Sequence, residues 1–177
     1  MGRSLSTKLV YGYDLGGESD DDGWKFNNKP VVYSAGTPYE YTVQTTEWPA
    51  WVHLDGDEEN PGDFIDQAGD RLVREIAKFT EEWTSGDPGY FERRNAAKKA
   101  SGLDILDFEL YGVSEYTAWV FGVDLGGDYA IHPVDVTKLL PVELAKYDKL
   151  LRRALEALEI KPTGQPVPRL MSLASYF

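Results

Sequence analysis

The sequence predicts an α+β fold, with an antiparallel sheet of four to six strands and two long helices packed on one face. Three observations lead there. Residues 63–83 and 141–159 repeat apolar side chains at three- and four-residue steps, the period of an amphipathic helix. Between them, 103–134 reads as short strands joined by short turns, which is the pattern of a meander. One phrase is written twice, as Val10 to Gly17 (VYGYDLGG) and as Val120 to Gly127 (VFGVDLGG). Each copy reads as a strand running into an Asp-Leu-Gly-Gly turn.

Taken in order, Leu9 to Leu15 is rich in Val and Tyr and predicts a strand. Glu18 to Gly23 (ESDDDG) is too charged to bury and predicts a loop. Trp24 to Tyr33 predicts one or two short strands, and Tyr39 to Val43 predicts another by alternation. Asp55 to Gly62 (DGDEENPG) is a second acidic loop with turn chemistry. Ile65, Ala68, Leu72, Ile76, Phe79 and Trp83 define the first helix. A shorter helix is expected from Asp87, with Asp87 as N-cap and Pro88 in the first position, ending at Ser101 with Gly102 as a left-handed cap. Leu106, Phe108 and Leu110 alternate with Asp107 and Glu109, giving a strand with one wet face. Gly112 to Ser114 should turn the chain into an apolar strand, Tyr116 to Val123, and a further strand is expected at Tyr129 to Val134. Leu144, Tyr147, Leu151, Leu155 and Leu158 form the stripe of the last helix. On its wet face, Asp148 with Arg152 and Arg152 with Glu156 have the spacing of i,i+4 pairs. Pro162 to Pro168 (PTGQPVP) ends regular structure. The expected organisation is one domain over 1–160 and a Pro-containing tail over 161–177, whose apolar end packs on its own domain, fits a neighbour subunit or frays.

Thirty Asp and Glu stand against eighteen Lys and Arg, for a net charge of −12. Such a charge repels phosphate backbones and anionic lipid and favours a basic protein partner. The first sixty residues carry eleven acids and four bases, whereas 91–177 carry twelve and eleven. This asymmetry admits a homo-oligomer joined through acidic and basic halves. With no cysteine in the chain, disulfides, thiolate ligands and Cys nucleophiles are excluded. No leader is recognisable and no run approaches the length needed to span a bilayer, so the expected location is cytoplasmic.

No catalytic residue, metal-ligand set or cofactor motif is expected: the sequence has no HExxH, GxSxG, Walker or GxGxxG pattern. Asp14 and Asp124 close the two copies of the repeated phrase. If their strands ran parallel as neighbours, the two carboxylates would meet at one sheet edge and bind a ligand or share a proton. Alternatively, each organises its own turn. His53 and His132 complete this alternative ligand site, which belongs to a small metal-dependent hydrolase. The acidic loops lack the register of an EF-hand.

Aromatic residues are abundant, and Trp24, Tyr39, Tyr41, Trp48 and Trp51 gather in the acidic half. Tyr and Trp make good interface anchors. Flanked by Asp20, Asp21, Asp22, Asp57, Glu58 and Glu59, they suit a basic protein partner. The competing reading places the same aromatics in the core.

Tyr11-Gly12-Tyr13-Asp14-Leu15-Gly16-Gly17, followed by Trp24, resembles small uncharacterised acidic proteins of actinobacteria and their phages. The resemblance implies no fold and no function and transfers no site; it slightly favours a phage-encoded accessory protein. From the charge and the aromatics, the expected function is a non-enzymatic, acidic protein-interaction protein, a phage-encoded accessory or an inhibitor acting on a basic or nucleic-acid-handling host protein. A structural subunit of a larger assembly is the third reading, beside the hydrolase.

Overall fold

The computed structural model describes residues 5–17, 23–34, 40–53, 64–113, 116–126 and 136–176. Its sheet is built on a long strand, β1 (Leu5–Gly16). A separate ribbon follows, formed by β2 (Asn28–Ser34) and β3 (Glu40–Thr46), with Val31 opposite Val43 and Tyr33 opposite Tyr41. The helices α1 (Phe64–Glu75) and α2 (Tyr90–Ser101) come next, then β4 (Leu106–Val113) and β5 (Tyr116–Asp124). The chain closes with α3 (Pro141–Leu158) and β6 (Arg169–Tyr176).

β1 pairs antiparallel with β5 on one side and with β6 on the other, and β4 pairs antiparallel with β5. A short parallel contact, Gly112 to Ser175 and Val113 to Tyr176, joins β4 to β6. The four strands thus close in the order β1-β5-β4-β6. The α+β class, the four-stranded sheet and the helices packed against it follow the sequence pattern.

Strand alternation sorts the side chains onto two faces. Tyr13, Leu15, Phe121, Val123 and Leu106 join Phe64, Ala68, Leu72, Leu151, Ala154, Leu155 and Leu158 of α1 and α3 in the main core. Val10, Val120 and Leu173, with Tyr111 and Met171, form a smaller cluster on the opposite, inward face. Burying side chains such as Phe26, Phe64 and Phe121 contributes roughly 1.5–3 kcal/mol each, and all three are essentially inaccessible to water.

Several boundaries differ from the sequence reading. The first helix stops at Glu75 rather than continuing to residue 83. Lys78 adopts a left-handed backbone (φ 56°), and the Phe79 N–H turns back to the Val73 carbonyl. Trp83, the last apolar position of the expected stripe, is 57% exposed. The second helix begins at Tyr90, because the Asp87 carboxylate accepts from Gly89 N–H and organises the turn before the helix. Gly102 does cap it, at φ 78°. Regular structure does not end with Pro162 to Pro168: within the expected tail, Arg169–Tyr176 packs on its own domain as a full barrel strand, held by an eight-residue ladder to Leu5–Gly12 of β1. The strand expected at Tyr129 to Val134 lies outside the described residues, as do the acidic loops.

Candidate functional site

The repeated phrase pairs with itself. Its copies occupy β1 and β5, and Gly12 stands opposite Gly122 at the centre, with Val10 opposite Asp124 and Asp14 opposite Val120 at the ends. The strands are neighbours but antiparallel. Asp14 and Asp124 are therefore four ladder steps apart, roughly 13 Å at ~3.3 Å per residue. The structure does not bring them together as a shared site.

Each aspartate instead occupies an equivalent place in a local two-fold arrangement. Asp14 Oδ1 accepts from Gly16 N–H at 3.0 Å, and Asp124 Oδ1 accepts from Gly126 N–H at 2.6 Å. Both glycines have positive φ, 69° and 102°, which favours a residue with no Cβ. The leucine between Asp and Gly, Leu15 or Leu125, is buried in each copy. Each carboxylate also faces a lysine: Lys25 Nζ lies 3.0 Å from Asp14, and Lys8 Nζ lies 3.8 Å from Asp124. β4 completes both ends. Tyr111 donates its hydroxyl to Asp14 at 3.1 Å, and Glu109 accepts from Lys8 at 2.6 Å. Burial disfavours the Lys8 ammonium, but the Glu109 hydrogen bond and the surrounding carboxylates outweigh it and raise its pKa above the ordinary lysine value. These are turn-organising, charge-compensated carboxylates.

The histidines do not join them. His53 binds Gln67 through its backbone, in both directions at 2.8 and 2.9 Å, and its side chain is exposed. His132 lies outside the described residues. Among the described residues, no group of three or more His, Asp or Glu is gathered to hold a metal ion.

Trp24, Trp48 and Trp51 pack against the core, as the competing reading of the sequence has it, and Trp48 also lines a cleft. Trp24, Trp48, Phe26 and Phe64 interlock with ring centroids 5.1 to 5.5 Å apart. Trp51 stacks on Phe64, donates its indole N–H to the Leu158 carbonyl at 3.0 Å, and is covered by the Arg71 guanidinium. The gap between the sheet and the helices needs large, flat side chains, so these residues fill it. Tyr39 and the side chain of Tyr41 lie outside the described residues, as do Asp20, Asp21, Asp22, Asp57, Glu58 and Glu59.

A cleft of about 1350 Å³ opens beside the sheet. Tyr11 and Tyr13 of β1, the outer face of α3, the ribbon root at Asn27–Lys29 and Glu47–Pro49, and the 160–168 segment surround it. Two buried or inward-turned polar groups set its form. Gln165, 7% exposed, donates to the Gly12 carbonyl at 2.8 Å and accepts from Asp14 N–H at 3.2 Å. Its amide thereby continues the pairing of β1 where β6 ends, and it pins Pro166–Pro168 beside the cleft. Asn27, at φ 48°, donates to the carbonyls of Glu47 and Glu159 and accepts from Lys161 N–H, tying the ribbon root to the end of α3.

Inside the cleft, the Tyr11 hydroxyl donates to Asp148 Oδ1 at 2.7 Å. Burial and this carboxylate push the phenol up to about 12. Burial and Asp148 also raise Tyr13, against the opposing charge of Arg152. Glu47 is paired with Lys29, and Glu159 with Arg71. The expected i,i+4 pairs on α3 do not close: Asp148, Arg152 and Glu156 line the cleft with no ion pair among the described residues. Asp148 is turned to Tyr11 instead.

Compared with known proteins, the chain matches no family model, no curated protein and no solved structure. Among the described residues, no helix is long and apolar enough to cross a membrane. The cleft residues Tyr11, Tyr13, Asp148, Arg152 and Glu156 were not singled out as a site by sequence. The signals present were the aromatics of the repeated phrase and the four-residue charge spacing on α3, and each has an ordinary structural explanation taken alone.

Proposed function

We propose that this protein is a non-enzymatic protein-interaction protein whose cleft between β1, α3 and the 160–168 segment receives a segment of a partner polypeptide. The observation that carries this reading is the cleft itself. At about 1350 Å³ it exceeds the usual 300–1,000 Å³ range of small-molecule sites. Its lining mixes Tyr, Trp and Pro surfaces with charges of both signs, which suits a polypeptide better than a compact metabolite. The net charge of −12 favours a basic partner protein. An accessory or inhibitory role toward a basic or nucleic-acid-handling protein is consistent with both properties.

The test is selection of binders from a random peptide library, repeated against Val167→Arg. Val167 lines the cleft and is 60% exposed, so the substitution fills the site without touching the core. The expected result is a family of peptides that share a pattern and lose most of their affinity for the variant. Failure to enrich any peptide, or equal binding to the blocked protein, would overturn the reading.

A further inference from the structure

We infer that the segment received by the cleft is an extended strand presenting side chains in the order basic, acidic, basic at alternate positions. This rests on the proposed peptide-binding function and specifies its partner.

The argument starts from α3. Asp148, Arg152 and Glu156 follow one another at four-residue intervals and all line the cleft. They form a rail of charge: negative, positive, negative. A helix rises ~1.5 Å per residue, so successive charges are roughly 6 Å apart along the axis. Alternate residues of an extended chain are roughly 6.6 Å apart and project to the same side. The two repeats differ by only about 1 Å over three charges, which long side chains absorb. A polyproline helix has three residues per turn, so its alternate residues do not share a face.

The rail is available. Its charges make no ion pair among the described residues, whereas the other carboxylates of the cleft, Glu47 and Glu159, already have cations. Asp148 is held in place by the Tyr11 hydroxyl, which donates to it without bringing a positive charge. The charge order is also palindromic, so it selects alternation without imposing a chain direction. Residues between the charged ones would face away from α3.

Nine-residue fluorescein-labelled peptides test this by anisotropy on the intact protein. One carries Lys-X-Glu-X-Lys. Its control carries Glu-X-Lys-X-Lys, with the same composition and net charge. A third spaces the same charges four residues apart, as a helical partner would. The alternating peptide is expected to bind about tenfold more tightly than its permuted control, the effect of a few exposed charge pairs acting together. In Arg152→Glu, an exposed substitution, the preference should pass to a Lys-X-Lys-X-Lys peptide. Equal affinity for the alternating and permuted peptides, or a preference that survives Arg152→Glu, overturns the charge-rail inference while leaving peptide binding intact. A preference for the four-residue spacing overturns the extended form. No binding by any peptide overturns this inference and the proposed function together.

Discussion

Gly12 and Gly122 face each other across the β1–β5 ladder, each at the middle of its copy of the repeated phrase. A Cβ on Gly12 would lie 2.1 Å from the Phe121 carbonyl oxygen and 2.5 Å from the Gly122 Cα. The obstacles are backbone atoms, so the strands themselves would have to move apart. Gly12→Ala is expected to cost about 2–3 kcal/mol, in the range of overpacked core sites, as read by urea denaturation. An unchanged midpoint would contradict the close crossing.

Gly69 provides the opposite case. It lies within α1, and a Cβ there meets nothing within 4 Å. Gly69→Ala should stabilise the protein by about 0.5–1 kcal/mol, because glycine costs that much in a helix interior. A fall in thermal midpoint would count against this assignment of α1.

Gln165 substitutes for a strand by bonding the Gly12 carbonyl and the Asp14 N–H with one amide. Replacing it by Leu leaves both backbone groups without that partner. A loss of roughly 1–3 kcal/mol is expected, and hydrogen exchange should accelerate first at Asp14. Protection of that amide equal to the parent protein would show that the side chain is dispensable.

Tyr11 sets a high-pH limit. Its phenol rises from 10.0 to about 12 in the folded protein, through burial and the Asp148 hydrogen bond. A raised folded-state pKa contributes stability that is complete below pH 10 and is lost as pH climbs toward 12. Denaturation midpoints should therefore fall between pH 10 and 12 in the parent protein, and fall less steeply in Tyr11→Phe. Identical slopes in the two proteins would be the contrary result.

The helical content was legible because α1 and α3 carry their burial pattern within a single window, as Leu72 and Leu151 show. Local capping chemistry was also legible at Gly102. The sheet was less so. β6 has an ordinary apolar run, and only its partner near the start of the chain reveals it as a strand: Leu173 needs Val10 and Val120 to be inside anything. The orientation of the aspartates depended on the same long-range fact. Nothing within either phrase states that β1 and β5 run antiparallel, and that single choice decides whether Asp14 and Asp124 meet. The cleft depended on three distant segments converging on α3, and the charges of α3 read locally as partners for one another. Trp24, Trp48 and Trp51 were ambiguous between anchor and core because composition carries no direction.

The ladder of β1 sets a timetable for synthesis. This twelve-residue strand is made before both of its partners: β5 begins at Tyr116 and β6 at Arg169. At ~5–20 residues per second, the ribosome needs roughly 8–30 s to travel from Gly16 to Arg169. Throughout that interval, the nascent chain carries an apolar strand whose second edge has nothing to pair with. Closure of the sheet consequently waits on the synthesis of β6, and whatever attends the emerging chain must guard β1 until then.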